Sequence, residues 1–398
     1  MAAARVVDPA APVTTVMIST GDASGDIHAA ALVRALRQRI PDARFLGLGG
    51  VEMEKEGVEI VVHQREVAVA GLLEVAGALP KIFGAWRALG RAARELRPDL
   101  AILIDTPDFN LPLARRLKRA GVPVLYFIGP QVWAWRQKRV FKIARRVDRL
   151  AVIFPFEVDF YRPTGLQVDF VGHPLVERMK HAATLHERAA DRRSLGLDPE
   201  TPVLALLPGS RRNEIENMLP LFLETASVVH ARNPRVAFVL PVASTLSREW
   251  LDEKIAAAKL PSMLRLEVLE GKTYEAISAC DAALAMPGTV NLEVALLDRP
   301  QVAAVRVNPL TYRIAMQLLR VPWVTLPNLI AQGPVIPEFL QDDAEPEQLA
   351  DALLGLVSGP ARDAQLEALV QVRARLGPGG AAERTADIAC EMIRGNGA

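Results

Sequence analysis

Residues 13–39 read VTTVMISTGDASGDIHAAALVRALRQR, and this stretch decides the fold. The β-branched run at residues 13–19 predicts a strand, the glycine-containing segment at 19–26 predicts a loop, and the pattern at 27–39 predicts a helix. A strand that passes through a loop into a helix is the first half of a βαβ unit. The chain therefore begins as a parallel α/β sheet does.

The same alternation of short apolar runs and longer helical patterns continues along the chain. Further strands of the first half are predicted at residues 44–48, 100–105, 122–128, 150–154 and 168–171, with helices at 79–96 and 111–120. A polar stretch near 177–195 interrupts this alternation of strands and helices. The alternation begins again after it, with strands predicted at 203–207, 236–240, 264–268, 282–285 and 301–305. The restart predicts two doubly wound, Rossmann-like α/β domains that face one another across a cleft.

This alternation of strands and helices predicts three segments of the chain. We predict a first domain over residues 1–185, a second over 186–370 and a C-terminal helical tail over 371–398. The tail either packs back on the first domain or reaches a partner subunit. Because ligands bind at the carboxyl ends of parallel strands, the functional residues are expected in the strand-to-helix loops.

Length and composition exclude several classes of protein. A chain of 398 residues, 50% of them hydrophobic, can bury two domain cores. Its 47 Lys and Arg against 46 Asp and Glu give a net charge of +1, which provides no overall attraction for nucleic acid. Cys280 and Cys390 lack metal-ligand spacing and indicate neither a disulfide framework nor a zinc site. No apolar run reaches the ~18 residues of a spanning helix, so a cytoplasmic protein, soluble or attached to one membrane face, is expected.

The first loop, STGDASGD at residues 19–26, combines glycines with polar side chains. The glycines allow a ligand to approach closely, and the free amides at the helix start favour an anion. The loop lacks the spacing of a dinucleotide fingerprint or of a phosphate loop with Lys. A turn in which Ser24 or Asp26 caps the helix explains the same residues, and the loop by itself favours that simpler interpretation.

Carboxylates also follow the third predicted strand, in IDTPDFN at residues 104–110. A carboxylate there could take the proton from an attacking hydroxyl group that lies within hydrogen-bond reach. Capping of the next helix by Asp108 or Asn110 is an equal alternative. Asp99 precedes the same strand, so it is expected at the opposite edge of the sheet in a structural role.

Residues 131–149 carry the strongest local concentration of charge. Seven basic residues lie between Arg136 and Arg149, beside Trp133, Trp135 and Phe141. Such a run fits phosphates, an anionic membrane surface or nucleic acid. A solvated helix face is the alternative for the outer Lys and Arg side chains.

Residues 66–94 form a second unusual segment, with apolar residues that lead into a helical pattern. Its apolar positions include Val67, Val69, Leu72, Leu73, Phe83 and Trp86. Spacings of three and four suit a helix that lies in a headgroup layer, and they suit a helix that packs on the core equally well. Periodicity by itself favours the core slightly.

Two glycine-containing loops of the second half each follow a strand and open a helix. In LLPGSRRNE at residues 206–214, Gly209 and Ser210 offer backbone donors and Arg211 offers a planar fork for a diphosphate. MPGTVNLE at residues 286–293 repeats the arrangement, and its Glu293 could accept hydrogen bonds from a ribose. The two loops together predict a nucleoside-diphosphate site, with a capped helix as the alternative for the second loop.

Eight segments in this order resemble the lipid-A-disaccharide synthase family. They are GDASGD (21–26), DTPDFN (105–110), PQVWAWRQKRVFKI (130–143), FPFE (154–157), VGHP (171–174), LPGSR (207–211), PGTVNLE (287–293) and LPNLI (326–330). The likeness extends from about residue 14 to 358, and its tryptophan-containing segment is highly specific. It implies a glycosyltransferase B fold, a UDP-2,3-diacylglucosamine donor, a 2,3-diacylglucosamine 1-phosphate acceptor, and release of UDP without a metal or other cofactor.

The resemblance also implies roles for single residues. Asp108 matches the general base, and Asp22 stands where the family often has Glu. Asp99 matches a position linked to activity in the family, against its structural interpretation above. The residues implied for the donor are Gly209, Ser210, Arg211, Gly288, Thr289, Glu293 and Asn328, and those implied for the acceptor loop are Ser24, Gly25, Asp26 and Asn110.

Acylated substrates change the interpretation of the surface segments. An enzyme whose substrates lie in a bilayer must dock on it, so the headgroup-layer interpretation of residues 67–86 now outranks the core. The residues predicted to meet the membrane are Val67, Val69, Leu72, Leu73, Phe83, Trp86, Arg136, Lys138, Arg139 and Lys142. We expect a peripheral protein on the cytoplasmic face of the inner membrane, without a nucleic-acid partner, and the resemblance allows a homodimer.

The expected reaction is a displacement with inversion. The primary hydroxyl of the acceptor attacks the anomeric carbon of the donor while Asp108 removes its proton. Arg211 and the amides of Gly209 and Ser210 stabilise the charge on UDP. The alternatives are another UDP-sugar glycosyltransferase, a UDP-sugar epimerase of the same fold, and a non-catalytic lipid or nucleotide binder. A nicotinamide dehydrogenase is disfavoured because no G-x-G-x-x-G opens a helix.

Overall fold

Two parallel sheets organise the protein. The computed structural model describes residues 13–67, 75–242 and 246–396. The described residues form two compact units: a first unit that runs up to Pro174 and includes the C-terminal segment from Gly380, and a second unit, Leu175–Gly379. Within the described residues, the first sheet has seven strands and the second has six. Each unit is therefore a sheet with helices, as the alternating pattern predicts.

The first unit contains strands β1–β7 and helices α1–α6. The strands are Thr15–Ser19, Arg44–Gly49, Glu59–His63, Leu100–Ile104, Val124–Phe127, Arg149–Val152 and Gln167–Phe170. The helices are Ala23–Arg39, Val51–Lys55, Val75–Leu96, Pro107–Arg119, Val140–Ala144 and Phe156–Tyr161. The strand order is β3-β2-β1-β4-β5-β6-β7, with every neighbouring pair parallel. All five residues of β4 are apolar and buried, as expected for a parallel strand that is covered on both faces.

The second unit contains strands β8–β13 and helices α7–α16. The strands are Val203–Leu207, Ala237–Val242, Arg265–Glu270, Ala282–Ala285, Gln301–Val305 and Glu338–Leu340. The helices are Pro174–Leu185, Arg188–Ser194, Arg212–Arg232, Arg248–Ala257, Thr273–Ala279, Val290–Leu296, Pro309–Leu318, Leu326–Ala331, Pro346–Val357 and Pro360–Arg375. The strand order is β10-β9-β8-β11-β12-β13, again parallel throughout.

The last helix, α17 (Ala381–Asn396), returns to the first unit and packs on α1. Arg39 lies 2.6 Å from Asp387 of α17, and Arg149 of β6 lies 2.7 Å from Glu391. Buried Ala386 and Ala389 allow the close approach of this helix. The chain thus ends on the sheet with which it began.

Both sheets have a topological switch point. In the first unit β1 lies beside β4, and in the second β8 lies beside β11. After the first strand of each pair the chain continues to one side of the sheet, and after the second strand it continues to the other side. The loops after such a pair diverge and leave a crevice at the carboxyl ends of the strands. Four loops are placed this way: those after β1 and β4, and those after β8 and β11.

Several elements differ from the sequence prediction. Helix α1 begins at Ala23, four residues before the predicted start, so much of the predicted first loop is helical. Helix α4 begins at Pro107, because Pro at the first helical position has a φ already suited to a helix. The strands β3 and β13 were not predicted, since both are at sheet edges and only partly buried. None of the described helices is long and apolar enough to cross a membrane.

Candidate active site

The loop after β4 in the first unit has an unusual backbone. Asp105 and Thr106 are consecutive non-glycine residues in the left-handed region, with φ of 45° and 44°. Such conformations cost on the order of 1–3 kcal/mol each and persist only where the surroundings hold them. The hydroxyl of Tyr126 donates to the carbonyl of Asp105 at 2.6 Å, and so secures this turn.

Asn110 secures the same turn from beneath and joins it to β1. Its Nδ2 donates to the carbonyl groups of Ile104 and Asp105, each at 2.9 Å, and to that of Ser19 at 3.2 Å. Its Oδ1 accepts from the hydroxyl of Ser19 at 2.8 Å. The side chain is fully buried. We therefore correct the expectation that Asn110 contacts an acceptor: it positions the loops that carry the carboxylates.

Asp22 caps α1, which neither Ser24 nor Asp26 does. Its Oδ1 accepts from the amide of Gly25 at 2.6 Å, and its Oδ2 accepts from the hydroxyl of Thr106 at 3.3 Å. Ser24 is exposed in the first turn of the helix. Asp22 therefore joins the two loops of this crevice while remaining only partly buried.

Asp26 and Gly25 are structural. The Asp26 carboxylate accepts from the amides of Gly50 at 2.8 Å, Glu52 at 2.9 Å and Met53 at 3.3 Å. It is 2% exposed, so its oxygen atoms serve the start of α2 and not an acceptor, which corrects the prediction for this residue. A Cβ atom on Gly25 would lie 1.8 Å from Oγ1 of Thr20, so this position needs glycine for internal packing.

Asp105 is a functional candidate absent from the residues singled out in the sequence. Burial, and secondly the charge of Asp22, raise the pKa of the Asp105 carboxyl. Paired carboxylates with a perturbed pKa at a switch point are typical of functional sites. The motif DTPDFN contained this residue, but only the structure shows that Asp105 is partly buried and Asp108 exposed.

Asp108 is exposed in the first turn of α4. It lines a concavity of about 90 Å³ with Pro107, Leu111 and Pro112 on its own side and four residues of the basic run opposite. An exposed carboxylate at the carboxyl edge of the sheet can reach a bound hydroxyl group. This is the position that the sequence predicts for a general base.

Asp99 lies at the other edge of the sheet. Its carboxylate accepts from the amide of Thr15 at 2.8 Å, at the beginning of β1. The five residues of β4 separate it from Asp105, which corresponds to roughly 20 Å along an extended strand. The structure therefore does not bring Asp99 together with Asp22 and Asp108, which agrees with its expected place at the opposite edge of the sheet, and a role of Asp99 in the reaction stays a prediction.

A larger pocket opens at the switch point of the second unit. Its volume is about 710 Å³, within the range of roughly 300–1,000 Å³ that small-molecule sites occupy. Six of the residues expected at a nucleotide line it: Gly209, Ser210, Arg211, Gly288, Thr289 and Glu293. Further lining residues that the sequence did not single out include Glu214, Thr273, Tyr274, Glu275 and Met286.

Glu214 holds part of the first glycine loop. Its Oε2 accepts from the amides of Ser210 at 2.9 Å and Arg211 at 3.1 Å, and its Oε1 lies 3.0 Å from Nη1 of Arg211. The amide of Ser210 is thus already donated within the loop, contrary to the expectation of an exposed donor. A diphosphate that used this amide would replace the Glu214 carboxylate, whose oxygen atoms now occupy the position of an anion at the helix start.

Glu293 lies in a small polar network at the same pocket. Its Oε1 accepts from Nη2 of Arg178 at 2.5 Å and from the hydroxyl of Tyr274 at 3.2 Å. Burial, and then the charge of Glu293, raise the pKa of the Tyr274 hydroxyl, so it stays a donor at neutral pH. The network fixes the carboxylate in the pocket wall, where it can accept hydrogen bonds from sugar hydroxyls.

Asn328 does not line this pocket. It is 1% exposed, and its Nδ2 donates to Glu338 and to the carbonyl of Ile336, each at 2.8 Å. Its Oδ1 accepts from the amides of Val335 at 2.9 Å and Ile336 at 2.7 Å. All four hydrogen-bonding positions are therefore used within the second unit, and Asn328 shapes a loop where the sequence suggested a nucleotide contact.

Some of the residues predicted to meet a membrane are buried in the structure, and others are exposed. Val67 is 8% exposed and belongs to the core, and Trp86 packs against the core while its Nε1 donates to the carbonyl of Phe109 at 3.1 Å. These two predictions are wrong because Val67, which precedes α3, lies in the core of the first unit and Trp86 of α3 packs against that core. Phe83 is 53% exposed, and its contact with a membrane stays a prediction. Val69, Leu72 and Leu73 lie outside the described residues.

The basic run, residues 131–149, likewise contains both buried and exposed side chains. Trp133 is buried, stacks edge-on against Phe156 and donates to Glu157 at 3.2 Å, so it belongs to the core. Trp135 is 45% exposed with the guanidinium of Arg136 over its ring at 4.0 Å. Lys138 and Lys142 are exposed, whereas Arg139 is half-buried. In the described ranges no three His, Cys, Asp or Glu side chains are arranged to hold a metal ion.

Comparison with known proteins extends over nearly the whole chain. A family model described as lipid-A-disaccharide synthetase matches residues 16–387. The lipid-A-disaccharide synthase of Geobacter metallireducens is 44% identical over 384 residues, which are 96% of this chain and 98% of that protein. The protein of the same name from Myxococcus xanthus is 42% identical over 379 residues, 95% of this chain and 97% of that one.

Solved structures share the fold at low sequence identity. A putative UDP-N-acetylglucosamine 2-epimerase from Listeria monocytogenes has a TM-score of 0.64 at 12% identity and covers 94% of this chain and 95% of its own. MurG of Acinetobacter baumannii has a TM-score of 0.58 at 16% identity, covering 96% of this chain and 100% of its own. These likenesses show the fold, which is the two-domain arrangement of the glycosyltransferase B class.

Proposed function

We propose that this chain, which belongs to the lipid-A-disaccharide synthetase family, joins two acylated glucosamine units into a disaccharide. Family membership makes it a glycosyltransferase of lipid A biosynthesis that takes a UDP-sugar donor and a lipid acceptor. The finer proposal is a UDP-2,3-diacylglucosamine donor and a 2,3-diacylglucosamine 1-phosphate acceptor, with UDP and the disaccharide 1-phosphate as products.

The observation that carries the donor part is the pocket of the second unit. Gly209, Ser210 and Arg211 line one side of it, and Gly288, Thr289 and Glu293 the other. Arg211 is 79% exposed on its side chain and is therefore free to turn toward a diphosphate. Charge that develops on the leaving UDP would meet a guanidinium already present at a helix start.

The acceptor part rests on Asp108. We propose that this exposed carboxylate removes the proton of the acceptor's primary hydroxyl as the oxygen atom attacks the anomeric carbon from the face opposite UDP. The configuration at that carbon inverts, the proton passes to Asp108, and the bond electrons leave with UDP. Asp22 and Asp105 would support this loop, one by capping α1 and the other through its constrained backbone.

Attachment to the membrane is a further part of the proposal. Diacylated sugars lie in a bilayer, and the exposed apolar side chains of Leu79 and Phe83 on α3 could enter a headgroup layer. Arg136 and Lys138 of the basic run are exposed as well and would meet anionic lipids at roughly 1 kcal/mol each. We place this contact on the cytoplasmic face of the inner membrane. A homodimer would use another surface or exchange α17, which here contacts its own chain.

The decisive experiment combines purified protein with both acylated sugars and detects the disaccharide 1-phosphate by mass. Asp108→Asn should lower kcat by about 10²–10⁴-fold, the usual contribution of a general base. Asp42→Asn, an exposed aspartate of the same unit, is the matched control and should behave like the parent.

Each alternative predicts a different product. A different UDP-sugar glycosyltransferase would accept the unacylated donor equally well, and an epimerase would convert the UDP-sugar without an acceptor. A non-catalytic binder would be protected by UDP against unfolding, form no product, and be indifferent to Asp108→Asn. Any of these results would replace the proposed function.

A further inference from the structure

A small basic concavity lies directly beside Asp108. Its lining comes from two neighbouring elements: Pro107, Asp108, Leu111 and Pro112 on α4, and Arg139, Lys142, Ile143 and Arg146 in and around α5. The sequence had assigned Arg139 and Lys142 to a membrane surface. The structure instead gathers three cationic side chains around the proposed general base.

The residues that line this concavity carry three positive charges against the single carboxylate of Asp108. The acidic residues near the basic run have other partners: Asp148 pairs with Lys118 at 2.8 Å, and Asp169 with Arg149 at 2.7 Å. Burial, followed by Arg115, Arg145 and Arg139, lowers the pKa of Arg146. Across the described part of the chain, no carboxylate forms an ion pair with Arg139, Lys142 or Arg146.

Hydrogen bonding and partial burial hold the two arginine side chains of this concavity in place. Nη1 of Arg146 donates to the carbonyl of Leu111 at 3.0 Å, which holds its guanidinium at the wall formed by α4. Arg139 and Arg146 are half-buried, and Ile143 between them is buried in the core. Guanidinium groups held in this way are pre-organised for hydrogen bonds to an oxyanion.

The volume limits what can enter. At about 90 Å³ the concavity is well below the roughly 300–1,000 Å³ of pockets that enclose a whole ligand. It fits one compact group of a larger molecule. Three cations and small volume together favour a phosphate monoester over a carboxylate or a sugar ring, because a phosphate monoester offers three strongly accepting oxygen atoms to three donors.

We propose that Arg139, Lys142 and Arg146 bind the phosphate monoester of the acceptor and thereby set which hydroxyl group meets Asp108. This inference rests on the proposed function and deepens it. With its phosphate bound beside Asp108, a phosphorylated hexose is held in one orientation, and this orientation determines which of its hydroxyl groups reaches the carboxylate. The cluster therefore selects the phosphorylated acceptor and positions it for transfer.

The test compares two acceptors, the diacylglucosamine 1-phosphate and the same diacylglucosamine without phosphate, in detergent micelles. The quantity measured is the ratio of kcat/KM for the two. Arg139→Ala and Lys142→Ala should each reduce this preference about 10- to 100-fold, as expected for loss of one hydrogen bond to a charged group. The KM of the UDP-sugar donor should stay unchanged.

Arg145→Ala is the matched control. Arg145 is an exposed cation of the same run that does not line the concavity, so its replacement should leave the preference as it is. Arg146→Lys keeps a charge while losing the planar fork, and it should give an intermediate preference in a protein that still folds. Circular dichroism checks folding of each variant.

A lipid headgroup is the other source of phosphate, and the design separates it. If the cluster served the membrane, Lys142→Ala would slow both acceptors equally and reduce sedimentation with vesicles of phosphatidylglycerol, and the inference would be overturned. Equal preference in parent and variants would overturn it as well. Failure of the parent to form disaccharide from either acceptor would instead reject the proposed function itself.

Discussion

The hydroxyl of Ser19 donates a hydrogen bond of 2.8 Å to Oδ1 of Asn110, which follows it by 91 residues. The bond is buried and joins the end of β1 to the beginning of α4, the helix that follows β4. Strands β1 and β4 are the two at the switch point of the first unit. The other end of the same amide supports the left-handed turn at Asp105. One buried side chain therefore holds together the two loops from which the carboxylates of the candidate site project.

Asn110→Asp should be strongly destabilising. The substitution replaces an NH₂ group that faces three carbonyl oxygen atoms with a carboxylate oxygen that repels them. We expect the free energy of unfolding to fall by on the order of 3–5 kcal/mol, as for a buried charge without a partner. Urea unfolding measures it. Asn217→Asp, on the exposed face of α9, is the control, and an equal loss there would contradict the role given to Asn110.

Arg211 and Arg212 form a natural pair for testing the nucleotide site. Arg211 lines the pocket, whereas Arg212 lies over the ring of Trp250 at 4.9 Å and does not line it. Arg211→Ala should raise the KM for the UDP-sugar and the Kd for UDP about 10- to 100-fold, since a charged hydrogen bond contributes roughly 1.5–3 kcal/mol. Arg212→Ala should change neither. Titration of UDP by calorimetry checks both, and similar affinities of the two variants would exclude Arg211 from the site.

The two pocket glycines should respond differently to alanine. Gly209 has a φ of +126°, and an added Cβ would lie 2.6 Å from Cβ of Glu214. Gly209→Ala should therefore lower stability by roughly 1–3 kcal/mol, from backbone strain. An added Cβ on Gly288 meets no atom within 4 Å, so Gly288→Ala should fold normally and weaken UDP binding by projecting into the pocket. Thermal unfolding with and without UDP separates the two effects, and a destabilised Gly288→Ala would refute this assignment.

Glu157 should make stability depend on pH. Burial raises the pKa of its carboxyl from 4.5 to about 8, although the amide of Phe154 and the indole of Trp133 both donate to it. A raised folded pKa gives stability that is fully present below about 4.5 and is lost as the pH rises through 8. The free energy of unfolding should thus fall by about 2 kcal/mol between pH 5 and pH 7 on account of this group.

Glu157→Gln should remove this pH dependence. Its absolute stability should be lower, because the new amide NH₂ would face a donor. The slope of unfolding free energy against pH is therefore the quantity to compare, and Glu253→Gln, at an exposed position, should leave that slope unchanged. A parent protein with a flat profile between pH 5 and 7 would show that Glu157 is ionised in the fold.

Much of the fold followed from the order of residues. The runs at 203–207, 282–285 and 301–305 became strands with those same bounds, because a covered parallel strand is a short and almost continuous apolar run, with Gln301 the one polar residue in these three strands. The glycine loops after β8 and β11 were placed correctly for the same reason. The motif around Asp108 could be assigned to a carboxyl edge, since the side of a sheet on which a loop lies depends only on whether it follows or precedes its strand.

What the sequence by itself determined is thus the alternation of elements, the family, and which loops lie at the carboxyl edges of the sheets. Only the tertiary structure decided which polar side chains in those loops form their hydrogen bonds within the protein and are therefore not available to a ligand. Asp26, Asn110 and Asn328 have the same chemistry as ligand-binding residues, and backbone groups of neighbouring loops and strands take up their hydrogen bonds. Amphipathic spacing likewise could not show that Trp86 of α3 packs against the core while Phe83 is exposed, nor that cations of the basic run surround Asp108, because periodicity fixes a face of a helix but not its neighbour.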